Sequence, residues 1–292
     1  MNKNKTLDVY FVIIILLLII LGVFIHSNED QESPNSISGV ENLGSFEFDE
    51  GEATPFEKAY FKSHPIKSDV PDFSTIANIK ARKAAFFNFL AQFTYEKNKL
   101  TQDDRKRINV LLNKSTMSKR ENLWVSTMRK YHKLQPLDTY SKQDLEELLH
   151  HVDIIPTSLV LAQAANESAW GTSRFATEGN NFFGQWCFSR GCGLVPTSRD
   201  DGADHEVRKF HDARESVFAY IDNLNSNSAY KKLRSIRSSL RENNKAITGL
   251  ALVYGLEHYS ERGYAYIEEI EALINYNKLW RFNKSHPNTK AQ

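Results

Sequence analysis

Residues 163–186 read QAANESAWGTSRFATEGNNFFGQW. The stretch continues an apolar, Ala-rich run from Ser158 that has the character of a buried helix, and one acid, Glu167, falls in its last turn. The negative end of the helix dipole disfavours a carboxylate there. Apolar neighbours such as Trp170 disfavour it again by desolvation, so both effects raise its pKa. A carboxyl group that holds its proton near neutral pH can protonate a leaving oxygen, as in glycoside hydrolysis. The alternative is a solvent-facing Glu167 with no catalytic part, because perturbed carboxylates also arise structurally. Gly171 suits the left-handed residue that ends the helix. The loop that follows carries Asn180, Asn181, Phe182, Phe183 and Trp186. Amides bond sugar hydroxyl and N-acetyl groups, rings stack on apolar sugar faces, and binding groups concentrate on loops. Phe182 and Phe183 are equally suited to a core.

The elements that must hold these groups are mostly helices. Pro156 suits the first turn of a helix over 157–169. Residues 76–97 place Ile79, Phe86, Phe89, Leu90 and Phe93 on one face at helical spacing. Thr101 with Asp104, Ser118 with Glu121 and Ser141 with Asp144 read as capping boxes, each opening a further helix. More helices fit 214–225, 230–241, 247–258 and 264–277. Strands are expected only at 182–188 and 205–210, joined by a Gly-rich connection as a small β-hairpin. The expected fold is a mainly α domain with a small β lobe. Residues 58–138 read as an N-terminal helical lobe, 139–283 as the domain carrying Glu167, and 284–292 as a disordered tail.

The N-terminus has a different character. After Lys3 and Lys5, residues 9–25 contain no charge. Seventeen helical residues span about 25 Å, and Leu7 with snorkelling flanks extends a span over 7–26 toward a hydrocarbon thickness of about 30 Å. A cleaved signal peptide is the alternative, but the apolar run is long for one and no small-residue cleavage site follows. Lysines before the span and acids after it leave residues 1–6 in the cytoplasm and the remainder outside. Residues 27–57 contain acids but neither Lys nor Arg and few aliphatics, which reads as a flexible linker. The chain's 292 residues and net charge of +1 give room for a sizeable core and no field that would attract nucleic acid.

Cys187 and Cys192 are the only cysteines. Outside the cytoplasm they read as a disulfide clipping the hairpin tip, worth about 2 kcal/mol for so short a loop. Two thiolates fall short of a tetrahedral metal set, although His205 and His211 lie nearby. No metal or cofactor is expected. The acids of RDDGADHE lack EF-hand spacing. His150 and His151 are adjacent on a helix and face different directions. Lys231, Lys232, Arg234, Arg237 and Arg241 read as a solvated basic face, or as an attractor for anionic wall polymers.

The segment LVLAQAANESAWGTSRFATEGNNFFGQW resembles the glucosaminidase domain of glycoside hydrolase family 73, whose pattern is AQ-x-x-x-ES-x-WG-x-S followed by NN-x-FG. The resemblance extends through VRKFHDARESVFAYIDNLNSNSAY and YSERGYAYIEEI. It implies a lysozyme-like helical fold that cleaves the N-acetylglucosaminyl-β-1,4-N-acetylmuramyl bond of peptidoglycan. The enzyme would sit on the bacterial inner membrane with its catalytic domain in the periplasm. Glu167 matches the family's acid. Tyr266 matches a supporting tyrosine, with Tyr264 as rival because the segment is one residue longer than usual. A second acid is expected in the β lobe, with Asp201, Asp204 and Glu206 as candidates and Glu206 slightly ahead for its place on a strand. Trp170, Asn181, Phe183, Trp186, Tyr259 and Tyr264 are the expected sugar contacts. A lytic transglycosylase and a non-catalytic peptidoglycan-binding scaffold remain as alternatives.

Overall fold

Thr54 opens the first helix, α1 (Pro55–Ser63): its side chain accepts from Glu57 N, and the Glu57 carboxylate returns to the Thr54 backbone. The computed structural model describes residues 53–66, 69–196 and 205–283. The expected cytoplasmic tip, membrane span and tail, and all but the last residues of the expected linker, lie outside these. Among the described residues no helix is long and apolar enough to cross a membrane.

The linker expectation is corrected at its end, where α1 is docked rather than loose. Glu57 is buried against Lys97, whose Nζ lies 2.6 Å from Glu57 Oε1 and 2.7 Å from Asp222 Oδ2. Tyr131 Oη donates to Glu57 at 3.2 Å, and Arg214 donates to the carbonyl of His64 at the helix's end. Phe61 packs edge-on to Phe218.

The long helix α2 (Ile79–Leu112) is capped by Asn78 and runs through the position where a new start was expected at Thr101. Residues 79–112 contain no Gly or Pro, so nothing breaks the hydrogen-bond ladder and the Thr101/Asp104 pair is interior to it. The capping boxes at Ser118 and Ser141 do start helices, α3 (Lys119–Tyr131) and α4 (Lys142–His151). Then follow α5 (Thr157–Glu167), α6 (Arg174–Gly179), α7 (Ala213–Ser226), α8 (Lys231–Glu242), α9 (Gly249–Leu252) and α10 (Tyr264–Tyr276).

The first half of α2 packs in one core with α5, α7 and α10, through Phe86, Phe87, Leu90, Leu159, Leu161, Val217, Ile221 and Ile270. Its end packs in a second core with α3 and α4, through Ile108, Leu111, Trp124, Val125, Leu145 and Leu148. One helix thus spans both, and all the described residues fall in one unit. The expected division at 138/139 has no counterpart in the packing.

Two further expectations are corrected. The helix foreseen over 247–258 is the short α9 followed by a 3₁₀ turn, Val253–Gly255. There the backbone presses on α8, and a Cβ at Gly255 would lie 2.3 Å from Leu233 Cα. The hairpin is a three-stranded antiparallel sheet, β1 (Trp186–Cys187), β2 (Gly193–Leu194) and β3 (Glu206–Arg208), in the order β1-β3-β2. Trp186 pairs with Val207 and Leu194 with the same residue from the other side. Residues 182–185 are not strand, and Phe182 and Phe183 are core. Cys187 and Cys192 are joined by a disulfide across the β1–β2 turn.

The basic face of α8 is partly buried, against the expectation of a solvated one. Arg237, 1% exposed, donates to the carbonyls of His150, Asp153 and Ile154 and to Asn225 Oδ1. Arg241 donates to both oxygens of buried Asp153. Backbone carbonyls at a buried turn need donors, and the guanidinium fork supplies several at once. This clamp fixes the 150–155 turn that launches α5. Burial pushes His151 down to about 4, so it is neutral here.

Candidate active site

From Thr157 to Ala165 every residue of α5 is buried, and each large apolar side chain so covered is worth about 1.5–3 kcal/mol. That burial anchors the helix. Its last residue, Glu167, is only half-buried, because the chain leaves sharply after it. Ser168 Oγ donates to the carbonyl of Ala164 at 2.6 Å and accepts from Gly171 N at 2.8 Å. Ala169, Trp170 and Gly171 all have positive φ, at 48°, 61° and 78°. Left-handed non-glycine residues are held at a cost of about 1–3 kcal/mol each. The third must be glycine for space as well, since a Cβ would meet Phe73 Cδ2 at 2.5 Å. The elbow ends the helix two residues before the expected 169 and leaves the Glu167 carboxyl at the rim of the core.

Tyr266, on the first turn of α10, donates to Glu167 Oε1 at 2.7 Å. Gln163, one turn before Glu167, donates through Nε2 to Tyr266 Oη at 2.8 Å, and its Oε1 accepts from Tyr220. The chain of bonds has one direction: Tyr220 supplies a proton to Gln163 Oε1, which leaves the Gln163 amide to donate to Tyr266. Tyr266 must then spend its own proton on Glu167. Oε1 is therefore a fixed acceptor, and an acid proton on Glu167 resides on Oε2. Tyr259 stacks on Tyr266 with centroids 5.3 Å apart and bonds the Phe183 carbonyl at 3.1 Å.

Burial raises the pKa of Glu167 above the ordinary glutamate value, while the Tyr266 and Asn166 donors and the Arg262 charge act against it and Glu269 adds to it. Burial and the Glu167 charge hold the Tyr266 phenol far above the usual tyrosine range, so it remains a donor.

A protein-family model described as glucosaminidase, mannosyl-glycoprotein endo-beta-N-acetylglucosaminidase, matches residues 142–279. The bax protein of Escherichia coli (strain K12) is 30% identical over 222 residues, which cover 76% of this chain and 79% of that protein. The chain belongs to the glucosaminidase family. It is a glycoside hydrolase. Among solved structures, the catalytic domain of the autolysin Auto from Listeria monocytogenes aligns with a TM-score of 0.40 at 16% identity, over 80% of this chain and 99% of that one.

Several expected site residues have other work in this glucosaminidase. Asn181 is 1% exposed; its amide donates to the carbonyls of Gln185 and Arg208 and its oxygen accepts from Phe183 N and Gln185 N. It ties the loop to β3 and has no capacity left for a sugar. Phe183 is buried and stacked on Tyr220 at 3.9 Å, so it supports Tyr220 rather than lining a cleft. The Trp170 ring packs on Phe86 and Phe87 of α2 under the Lys83 ammonium, 4.3 Å from its centroid. Tyr264 is 62% exposed, and Tyr266, not its rival, reaches Glu167. Trp186 is 54% exposed and stacks on His205 at 4.3 Å, the arrangement of a platform for a flat ligand face.

Glu206 is corrected as well. It is buried, and its two oxygens accept from Gly191 N at 2.9 Å and Gly193 N at 2.8 Å. The carboxylate organises the disulfide-closed turn instead of facing solvent or substrate. Cys187, Cys192 and Glu206 are close enough to suggest metal ligands, but both sulfurs are committed to the disulfide. Asp201 and Asp204 lie outside the described residues.

Gln163, Tyr220 and Arg262 reach the site only through tertiary contacts. Gln163 carried a usable signal: it is a polar residue in an otherwise apolar helix, four positions before Glu167 and so on its face.

Removing the Tyr266 hydroxyl has a definite sign. The O–H favours ionised Glu167, so Tyr266→Phe raises the Glu167 pKa further. Activity that depends on protonated Glu167 is lost as pH rises through that pKa, so the basic limb of the kcat/KM profile should move to higher pH. The Gln163 amide also loses its acceptor, lowering stability by about 1–3 kcal/mol. A pH–rate profile and a thermal melt check both; a basic limb that stays put removes Tyr266 as the donor to the acid.

Proposed function

We propose that this chain is a membrane-anchored peptidoglycan hydrolase, an endo-β-N-acetylglucosaminidase of lysozyme-like architecture that cuts the N-acetylglucosaminyl-β-1,4-N-acetylmuramyl bond. The observation that carries the reading is the directed chain Tyr220–Gln163–Tyr266–Glu167, which leaves one carboxyl group with its proton on Oε2 at the rim of a buried helix. Glu167 then acts as general acid: its Oε2 proton passes to the leaving glycosidic oxygen as the bond to the anomeric carbon breaks. The raised pKa keeps a larger fraction protonated near neutral pH. Trp186 offers a stacking surface for a sugar ring. Because each oxygen of buried Glu206 is bonded by a backbone amide, the second role falls to the substrate's own acetamido oxygen or to Asp201 or Asp204.

The uncharged run at 9–25 supports a single anchor at the bacterial inner membrane, with the N-terminus cytoplasmic and the enzyme in the periplasm, where a disulfide persists. Peptidoglycan glycan strands are the substrate in this reading, with no cofactor required.

Mass spectrometry of the soluble products from purified peptidoglycan tests it. Fragments with reducing-end N-acetylglucosamine are expected. Anhydro-muramyl ends would make the protein a lytic transglycosylase, and binding without fragments would make it a scaffold.

A further inference from the structure

Arg262 stands in an unusual place for a basic residue. It precedes Gly263, which has positive φ and caps α10. Its guanidinium carbon lies 5.5 Å from the centroid of the Tyr266 ring, and Tyr266 is the residue that donates to Glu167. Glu269, one turn along α10 from Tyr266, holds Arg262 Nη2 at 2.7 Å. The Arg262 side chain is 54% exposed, so the cation faces solvent over the ring of the tyrosine that donates to Glu167.

Stability does not explain this placement. An exposed pair such as Arg262–Glu269 contributes about 0–1 kcal/mol. Acid chemistry does not explain it either: the Arg262 charge favours ionised Glu167 and works against the burial that raises its pKa. A cation kept beside a general acid at the acid's expense calls for a second task.

The chemistry of the substrate supplies one. This inference rests on the function proposed above. In a glucosaminyl-muramyl bond the leaving oxygen is O4 of the muramyl residue, and the neighbouring C3 of that ring carries the lactyl ether. A carboxylate or an amide carbonyl therefore lies next to the atom that Glu167 protonates. In the opposite linkage, muramyl to glucosaminyl, the leaving sugar has only a hydroxyl at C3. We propose that Arg262 is a specificity-determining residue that binds the lactyl carboxyl or carbonyl oxygen of the leaving muramyl residue and so selects which of the two β-1,4 bonds is cut. Glu269 occupies one N–H and fixes the plane of the fork, and the remaining donors of the guanidinium suit a planar two-oxygen acceptor. A free lactyl carboxylate, as on glycan stripped of its peptides, binds more tightly than a peptide-bearing lactyl amide, because the charged acceptor makes the stronger hydrogen bond. An N-acetylglucosamine polymer has neither group.

The test is a ratio. For the full-length protein, Arg262→Ala and Arg262→Lys, kcat/KM is measured on peptide-free muramyl glycan and on a β-1,4 N-acetylglucosamine oligomer of matched length. A general change in the acid strength of Glu167 affects both substrates and cancels in the ratio. The wild type is expected to prefer the muramyl glycan, Arg262→Ala to lose at least about tenfold of that preference, and Arg262→Lys to retain part of it, because charge remains without the fork. Added salt should erode the wild-type preference more than that of Arg262→Ala. A wild type without preference, or an active Arg262→Ala with the wild-type ratio, overturns the inference and leaves the proposed function standing. A wild type that cuts neither substrate overturns the proposed function, and the inference with it.

Discussion

Glu167→Gln is expected to lose at least about a hundredfold in glycan cleavage while folding normally and still binding peptidoglycan, since general acid catalysis is typically worth about 10²–10⁴-fold. The amide has nearly the shape of the acid. Its Oε1 can accept the Tyr266 hydroxyl as before, so the Tyr220–Gln163–Tyr266 chain keeps its direction. What disappears is the proton on Oε2. Stability should move the other way. Burial raises the folded-state pKa of Glu167, so the native state binds protons more tightly than the unfolded chain. Wild-type stability therefore falls as pH rises from the unfolded glutamate pKa through the folded one. The amide escapes that loss. Its melting temperature should equal or exceed the wild type's at pH 7, with the difference closing below about pH 4. Normal cleavage by Glu167→Gln removes the catalytic assignment. A collapsed fold makes the glutamate structural.

Lys97→Met is expected to destabilise the protein by about 3–5 kcal/mol at neutral pH, the usual consequence of removing one partner from a buried ionic cluster. Lys97 is the shared cation of Glu57 on α1 and Asp222 on α7. Burial with a carboxylate neighbour already pushes Asp222 up to about 7 despite the lysine, whereas Glu57, with the Thr54 backbone as a further donor, stays below its usual value. Without the cation both carboxylates favour their protonated forms. The deficit relative to wild type should be largest at and above pH 7 and should shrink as pH falls toward 5. Denaturant melts at the two pH values measure it. A loss that does not depend on pH would mean that Lys97 acts through packing alone. Because Glu57 belongs to the first described helix, α1 should also become protease-sensitive before the rest of the fold.

The Glu167 carboxyl at a helix end, the elbow after it and the helix itself are legible in the sequence, because the signals are local. Nine consecutive buried residues leave an apolar run, and a single glutamate at its end stands out against it. Gly171 announces the turn, although the left-handed Ala169 and Trp170 do not, since nothing in those residue types prefers positive φ. The two true capping boxes were readable for the same reason. Thr101 with Asp104 has the same spelling, and only the uninterrupted ladder of α2 decides against it.

Roles that depend on residues distant in sequence were not legible. Asn181 and Glu206 are polar residues near a candidate cleft, and their types suit sugars and catalysis. Their partners, the backbone of Phe183, Gln185 and Arg208 for one and of Gly191 and Gly193 for the other, occupy the whole Asn181 amide and bond each oxygen of buried Glu206. Arg237 reads as part of a solvated basic face, and nothing local marks Lys97 as buried; tertiary packing surrounds them with carboxylates and carbonyls 40 to 125 positions away. Tyr266 and Tyr264 differ by two positions on one helix, some 200° of rotation, and only the packing of α10 on α5 turns the former toward Glu167. Residue types and local spacing suffice to place one carboxyl, that of Glu167, at the end of an apolar helix. Packing selects the hydroxyl that bonds that carboxyl and the cation that lies over the Tyr266 ring, because hydrogen-bond partners are chosen by distances in space that residue spacing does not encode.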